Sequence, residues 1–165
     1  MNMHRALLVV ALAGLAAPSS AQPARRAAAA QPDFKAMVDR YWKVWASGDL
    51  DQAATLYAKD PDLVFFDLEP LKYTGWKAYR EGVVTNILAK FDRVSFRVND
   101  DLKATRRGSV AWTSVTVHAS GALKGGAPVE TDMRHTAIWE KRGADWVIVH
   151  EHVSTPSSLP APPAR

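Results

Sequence analysis

Apolar residues recur at helical spacing in the first regularly patterned part of the chain. Between residues 34 and 45 an apolar residue follows every three or four positions, which predicts an amphipathic α-helix. Asp33 stands where an N-cap would accept hydrogen bonds from the first helical amides, and Gly48 ends the pattern. The predicted buried face consists of Phe34, Met37, Val38, Tyr41, Val44 and Trp45.

Two further helices are predicted after the first. Asp49, with Gln52 three residues later, matches a capping box, so a second helix is expected before Pro61. A loop over residues 68–74 then leads to a third helix that starts near Trp76. The apolar positions of this third helix are Trp76, Tyr79, Val83 and Ile87.

The rest of the pattern predicts strands. Residues 62–67 form a short apolar segment, and from Arg93 onward apolar and polar residues alternate over several long segments. Glycine-containing turns at residues 107–108, 125–126 and 142–143 separate four strands, the last of which covers residues 145–154. Three helices followed by four hairpin-linked strands predict an α+β domain, with the helices on one face of a curved antiparallel sheet.

The two ends differ in composition from this folded unit, which we place at residues 33–154. Residues 1–21 combine a basic start, a short apolar run and small residues before Gln22, the pattern of a secretory signal peptide. The apolar run is too short for a membrane anchor. We therefore expect cleavage after Ala21 and a periplasmic or secreted protein, with a linker at 22–32 and a disordered Pro-rich tail at 155–165.

Composition and charge narrow the possible functions. The formal net charge is +4, and the basic residues are scattered along the chain, which argues against nucleic-acid binding. The absence of cysteine excludes disulfides, thiol nucleophiles and thiolate metal sites. The six tryptophans require a core, a pocket or an interface to hold them. We expect no cofactor, and a small organic molecule as the partner.

Several local motifs resemble the SnoaL-like branch of the nuclear transport factor 2-like superfamily. The G-D-L-D break after the first helix and the W…W-x-I-V-H-x-H-x-S ending lie at the spacing typical of that superfamily. The resemblance covers nearly all of residues 33–154 and implies a cone-like fold around a pocket. Such folds include isomerases, dehydratases, cyclases and non-catalytic binding or assembly modules. The matching segments are residues 41–51, 56–58, 65–67, 75–76 and 139–154.

One group in this superfamily, the ketosteroid isomerases, suggests roles for two residues. These enzymes place an Arg-Tyr pair before the first helix break, and Arg40-Tyr41 stands at the same distance from Gly48. The resemblance implies that Tyr41 donates to an oxyanion and that Asp67, after the second helix, is the general base. The isomerases' second donor is a protonated aspartate, whose position falls near Thr136 here, so the match is incomplete.

Another relative, the association domain of calmodulin-dependent kinase, resembles the ending more closely. That domain is a non-catalytic assembly hub with an arginine-lined pocket. Ala137 and Val153 occupy the pocket arginine positions in this chain, so the resemblance does not imply an anion-binding pocket. Arg134 is a nearby substitute, although it lies on the opposite strand parity from Ala137.

The residues themselves leave two interpretations of Asp67 and Tyr41. If Asp67 faces inward among Phe65, Phe66 and Leu68, loss of hydration raises the pKa of its carboxyl and makes it a base near neutral pH. If it faces outward, it caps a strand end or a loop. Tyr41 shares a helix face with Trp45, and that face either packs in the core or lets Tyr41 donate to a developing oxyanion.

Three histidines are further candidates. His150 and His152 point to the same face of the last strand and Glu151 to the other, unless a bulge exchanges the two sets. With His135 they have the chemistry of a zinc site, but His-x-His is a weak signal, so we predict no metal and a pocket or interface role. The predicted ligand-binding residues are Trp45, Trp76, Arg134, His135, Thr136, His150 and His152.

Two classes of function follow from these candidates. The first is binding of a small organic molecule in an apolar, aromatic-lined pocket, with proton transfer of the isomerase or lyase type by Asp67 and Tyr41. The second is a non-catalytic binding or assembly module that uses the same cavity and the sheet face. Because aromatic residues on the outer face of a sheet need a cover, we also expect a homodimer through that face.

Overall fold

The computed structural model describes residues 32–157. The first helix begins and ends at its predicted caps, and the second begins at its predicted cap. Helix α1 spans Phe34–Ser47, α2 spans Leu50–Ala54 and α3 spans Trp76–Asn86, followed by a 3₁₀ turn at Leu88–Lys90. Asp33 accepts a hydrogen bond from the Ala36 amide, and Asp49 accepts one from Gln52. At Gly48 the backbone turns into the left-handed region with φ 69°, which glycine adopts without strain.

The strands form one seven-stranded sheet. Their order is β2-β1-β7-β6-β5-β3, and β4 pairs with β5 beside this path. The strands are β1 (Val64–Phe66), β2 (Tyr73–Thr74), β3 (Phe91–Val98), β4 (Lys103–Arg107), β5 (Val110–Leu123), β6 (Pro128–Arg142) and β7 (Asp145–Ser154). The predicted α+β class is thus confirmed, with helices packed on a largely antiparallel curved sheet.

The sheet differs from the prediction in three details. β1 runs parallel to β7, with Phe65 opposite Glu151, so the sheet is mixed. β2 lies within the predicted loop, and β4 occupies a region where only a turn was expected. Both are too short or too polar to show alternation: β4 is exposed along its whole length and is held by pairing with β5. Neighbouring strands, and not local pattern, define these two elements.

A β-bulge in β7 decides which side chains face the helices. Ile138 of β6 pairs with His150, but the next residue, Trp139, pairs with Ile148, so Val149 is the extra residue. An extra residue shifts the alternation of all that follow it by one position. As a result Ile148 and Glu151 both face inward and are fully buried.

A glycine allows β3 to approach β5 closely beside the cavity. A Cβ atom on Gly121 would lie 2.8 Å from the Arg93 carbonyl oxygen and 3.0 Å from the Phe91 ring. No real Cβ tolerates such contacts, so any larger residue would push β3 outward. Gly121 therefore helps to shape the end of the sheet where the cavity opens.

The buried core lies between the helices and the inner face of the sheet. Trp139, Tyr41, Tyr79 and Phe65 are its largest fully buried side chains. Within residues 32–157 no helix is both long and apolar enough to cross a membrane. The predicted signal peptide, nearly all of the predicted linker and most of the predicted tail lie outside the described residues and stay predictions.

Candidate functional site

A cavity opens between α1, α3 and the inner face of the sheet. Its empty volume, including the open space at its mouth, is about 680 Å³. Most of its wall is aliphatic or aromatic, and the lining that residues 32–157 provide contains no arginine, lysine or histidine. The lining residues are Tyr41, Trp42, Trp45, Asp67, Leu68, Tyr79, Val83, Ile87, Leu88, Phe91, Val94, Phe96, Ala119, Ser120, Gly121, Val129, Thr131, Met133 and Val153.

Within the part of the chain that the structure describes, Asp67 contributes the one carboxyl group in this lining. It follows β1 directly, and its Oδ2 accepts a hydrogen bond of 2.9 Å from the hydroxyl of Tyr79. Its Oδ1 accepts one of 2.6 Å from the backbone amide of Leu68. Among residues 32–157 the carboxyl takes part in no ion pair, although Lys72 and Arg80 lie nearby in sequence. The inward-facing interpretation of Asp67 is the one the structure adopts.

The surroundings of Asp67 favour its protonated form. Burial raises the pKa of this carboxyl to about 7, and the negative charge of Glu151 adds to the rise. The hydrogen bonds from Leu68 and Tyr79 act in the opposite direction but do not cancel it. A carboxyl with this pKa exchanges protons near neutral pH, which is the property required of a general base.

Three tyrosines form a cluster beside Asp67. The hydroxyl of Tyr57 lies 3.0 Å from both carboxylate oxygens of Glu151, and Trp45 Nε1 donates to the Tyr57 oxygen at 3.1 Å. Tyr79 donates to Asp67, and the Tyr41 ring lies 6.4 Å from that of Tyr57. Burial raises the pKa of all three hydroxyls well above the usual value, so they remain protonated donors at neutral pH.

The cluster leaves one hydroxyl proton for a ligand. A tyrosine hydroxyl carries a single hydrogen. Tyr57 gives its hydrogen to Glu151 and Tyr79 gives its own to Asp67. Tyr41 lines the cavity, and its hydroxyl interacts with those of Tyr57 and Tyr79 but with neither carboxylate. Its hydrogen is therefore the one of the three that a bound molecule can accept without displacing a carboxylate.

His135 lies behind Tyr41, inside the domain. Its ring stacks on Tyr41 at 4.6 Å and meets Trp42 edge-on at 5.2 Å. Its Nε2 is 3.9 Å from the carboxylate of Glu151, and neither ring nitrogen has a hydrogen-bond partner among residues 32–157. His135 therefore supports the wall of the cavity from behind and is not part of its surface.

Four predicted ligand-binding residues lie on the wrong side of the sheet. Arg134 and Thr136 are exposed on the outer face of β6, and Thr136 pairs with His152 of β7. His150 also faces outward, where its Nδ1 lies 2.7 Å from the Val64 carbonyl oxygen. Contrary to expectation, these four side chains do not line this cavity, because side chains one position away from inward residues point to the opposite face. Since His135 faces inward, the three imidazoles do not converge on a metal.

Trp45 and Trp76 differ in their placement. Trp45 lines the cavity as predicted, beside Tyr79 with 5.9 Å between ring centroids. Trp76 does not line the cavity, because it stacks on the far side of Tyr57 at 4.5 Å, with the Lys59 ammonium 4.0 Å from its ring. Trp76 is half-buried against the core beside the cavity, and its contact with a ligand stays a prediction.

Sequence reasoning missed three residues of the site. Tyr79 was predicted as an apolar helix position and Tyr57 lay within the matching segment 56–58, so neither was predicted to belong to a polar network. Glu151 was predicted to oppose the two histidines, but which set faces inward depends on the bulge at Val149. The available signal was chemical: a glutamate within the apolar run of β7 needs a buried hydrogen-bond donor if it faces inward.

Comparison with known proteins identifies the family. The sequence model of the SnoaL-like domain matches residues 34–158. No curated protein sequence matches the chain. Among solved structures, a nuclear transport factor 2-like superfamily protein from Salmonella enterica has a TM-score of 0.70 at 19% identity, covering 80% of this chain and 94% of its own.

Two further structures share the fold. A candidate scytalone dehydratase from Novosphingobium aromaticivorans has a TM-score of 0.65 at 14% identity, covering 75% of this chain and 82% of its own. The CaMKII hub of S. rosetta has a TM-score of 0.62 at 22% identity, covering 74% and 94%. At these identities the similarity concerns the fold alone. The match of the family model over residues 34–158 shows that this chain belongs to the SnoaL-like domain family, and its fold is similar to that of nuclear transport factor 2-like structures.

Proposed function

We propose that this protein is an exported domain that binds a small, neutral organic molecule and catalyses a proton transfer in which Asp67 is the base. The observation that carries the proposal is a carboxyl in an apolar cavity, next to a tyrosine donor and without an ion-pair partner among residues 32–157. Groups with shifted pKa values in a cleft are typical of catalytic sites. Export rests on the N-terminal sequence pattern alone.

The residues of the cavity wall restrict the charge and the polar groups of a suitable ligand. Without arginine, lysine or histidine in the lining, an anionic ligand has no counterion and would face the carboxyl of Asp67. Tyr41 has a proton to donate, and the indole N–H of Trp42 has no partner among residues 32–157. The matching ligand is a flat, apolar molecule with an oxygen acceptor, such as a ketone or a quinone.

The reaction that fits is removal of a proton from a carbon next to that oxygen acceptor. The ionised carboxylate of Asp67 takes the proton, and the electrons of the C–H bond move onto the carbonyl oxygen. Tyr41 donates a hydrogen bond to this oxyanion, an interaction that strengthens as the charge develops. Return of the proton to another carbon completes an isomerisation, whereas loss of a leaving group completes an elimination.

The first test uses 2-tetralone, a neutral bicyclic ketone, as the probe. In D₂O the wild-type protein should accelerate exchange of the C1 hydrogens, followed by proton NMR. Because the base must be ionised, the rate should rise with pH and level off above a midpoint near 7, the pKa of Asp67. No exchange above the buffer rate across about pH 5 to 9, with the probe bound, would reject catalysis.

The competing function is a non-catalytic binding or assembly module. It predicts that prodan, a neutral naphthyl ketone with environment-sensitive emission, binds in the cavity while 2-tetralone does not exchange. Its structural support is the outer face of the sheet, where Trp112 is 40% exposed and Val110 39% exposed. Trp112 lies between Thr105 of β4 and Ile138 of β6 on this face.

We propose that a second copy of the chain covers this outer face in a homodimer. Exposed aromatic surface of this kind is typical of interfaces. Sedimentation velocity of the wild type should give a dimer, and Trp112→Glu should give a monomer because it buries a charge in the interface. Thr85→Glu, an exposed position on α3, is the matched control and should remain dimeric. A monomeric wild type would contradict the proposal.

A further inference from the structure

A second carboxyl group lies behind the cavity, where no solvent reaches it. Glu151 is fully buried at the inner face of β7, between Phe65 of β1 and Ala137 of β6. Its hydrogen-bond donor is the hydroxyl of Tyr57, 3.0 Å from each carboxylate oxygen. Burying a carboxylate costs free energy unless its oxygens accept hydrogen bonds, so a glutamate at this position is expected to have a role.

The polar groups that face Glu151 come from every element packed around it. Tyr41 lies on α1, Tyr57 follows α2, Asp67 follows β1, Tyr79 lies on α3 and His135 lies on β6. The charge of Glu151 affects the pKa of Asp67 and of all three tyrosines. His135 is the group among them that is able to carry a positive charge, with its Nε2 3.9 Å from the carboxylate.

We propose that Glu151 is a positioning residue, which acts through Tyr57 to keep the Tyr41 hydroxyl available as the donor to the ligand. The carboxylate accepts the single hydrogen of Tyr57, so Tyr57 has none left with which to donate to a ligand or to Tyr41. The Tyr57 oxygen is in turn fixed by Trp45 Nε1 at 3.1 Å. This inference rests on the proposed function, because it assigns Tyr41 the same role.

The charge of Glu151 also contributes to the raised pKa of the base, Asp67. Two carboxylates in one poorly hydrated region repel each other, so the charge of one favours the protonated form of the other. In the wild type this adds to the effect of burial on the pKa of Asp67. Removing the charge of Glu151 should therefore make Asp67 ionise at lower pH, whether or not a substrate is bound.

The decisive variant is Glu151→Gln, which keeps the shape but removes the charge and replaces one acceptor by a donor. The NH₂ group of the glutamine donates to the Tyr57 oxygen, where the carboxylate accepted the Tyr57 hydrogen. The Tyr57 hydrogen then becomes free to turn towards Tyr41. We expect the plateau rate of 2-tetralone exchange to fall about tenfold, with little change in the concentration at half-maximal rate. The midpoint of the pH profile should move down by about half a pH unit or more.

Glu130→Gln is the matched control. Glu130 lies exposed on β6, so the same chemical change there should alter neither the rate nor the midpoint. Tyr57→Phe is the second variant, and it also lowers the plateau rate if Glu151 acts through this hydroxyl. The plateau rate of the double variant should then fall no further than that of the more impaired single variant, because both changes break the same chain of contacts.

Two readouts separate this inference from the proposed function. Carbon-13 NMR of the carboxyl groups follows the titration of Asp67 without any substrate, and prodan emission reports the hydrogen bond to its ketone. If the wild type exchanges nothing, catalysis is rejected, but Glu151→Gln must still lower the Asp67 titration midpoint and shift prodan emission to shorter wavelength. An unchanged midpoint or unchanged emission in Glu151→Gln would overturn the positioning role, and so would full exchange activity in Tyr57→Phe.

Discussion

Replacing Asp67 with asparagine is expected to lower the rate of 2-tetralone exchange by ~10²–10⁴, the usual consequence of losing a general base. Asparagine has nearly the same size and still accepts hydrogen bonds from Tyr79 and Leu68, but it does not take up a proton. Binding of prodan should therefore change little. The measurement is the plateau exchange rate in D₂O, compared at equal saturation with the probe.

Asp62→Asn is the matched control for this change. Asp62 is exposed in the same segment of the chain, ahead of β1, and should leave the exchange rate unchanged. If Asp67→Asn keeps the wild-type rate, Asp67 is not the base. If both variants and the wild type bind prodan without any exchange, the domain is a binding module.

The Asp67→Asn substitution should also change how the free energy of unfolding depends on pH. The pKa of Asp67 is about 7 in the folded protein and near ~4 in the unfolded chain, so the folded state holds this proton more tightly. That stabilisation is complete below the unfolded value and is lost as the pH rises through the folded one. The free energy of unfolding of the wild type, relative to Asp67→Asn, should therefore fall by about 2–4 kcal/mol from pH 4 to pH 8. A flat difference would mean that the carboxyl is well hydrated.

Truncation of Trp45 to alanine is expected to cost about 3–5 kcal/mol of unfolding free energy. Trp45 is 4% exposed, and its ring packs against Tyr57, Trp76 and Tyr79. Its Nε1 also donates to Tyr57. The truncation therefore removes apolar contacts and one buried hydrogen bond, and it leaves the tyrosine cluster beside an enlarged cavity. Urea denaturation followed by circular dichroism measures the loss.

Leu71→Ala provides the control for this truncation. Leu71 is 89% exposed, so shortening it should change the free energy of unfolding by less than about 0.5 kcal/mol. Trp45→Phe separates packing from hydrogen bonding, since it keeps a ring without the N–H group. A denaturation midpoint near that of the wild type for Trp45→Ala would show that α1 does not pack through this residue.

Helix α1 shows which buried residues the apolar spacing of the sequence predicts and which it does not. Apolar spacing and the caps at Asp33 and Gly48 identified the helix and most of its buried face. Trp42 lay outside that pattern, yet it is 4% exposed and packs 4.6 Å from Phe96 of β3. A helix covered by a sheet on one side and by other helices on another buries a wider arc than its own periodicity indicates.

Asp67 and Tyr41 became candidates because the resemblance to ketosteroid isomerases implied their roles, whereas the residues themselves left both orientations open. The hydrogen-bond network around them was not predicted, because the partners Tyr57, Tyr79 and Glu151 come from three separate parts of the chain. No local pattern records that these elements meet. Contacts between residues as far apart as 57 and 151 exist only once the sheet and helices are packed.

The sequence by itself determined the order of the helices and the longer strands, the caps of the first two helices and the alternation of side chains along the longer strands, since these depend on neighbours within a few residues. Only the tertiary structure decided which alternate set of β7 faces the cavity. The bulge at Val149 and the parallel pairing with β1 place Glu151 inside and His150 and His152 outside. Register between strands is fixed by packing over long sequence distances, and a shift of one residue exchanges the two faces of a strand.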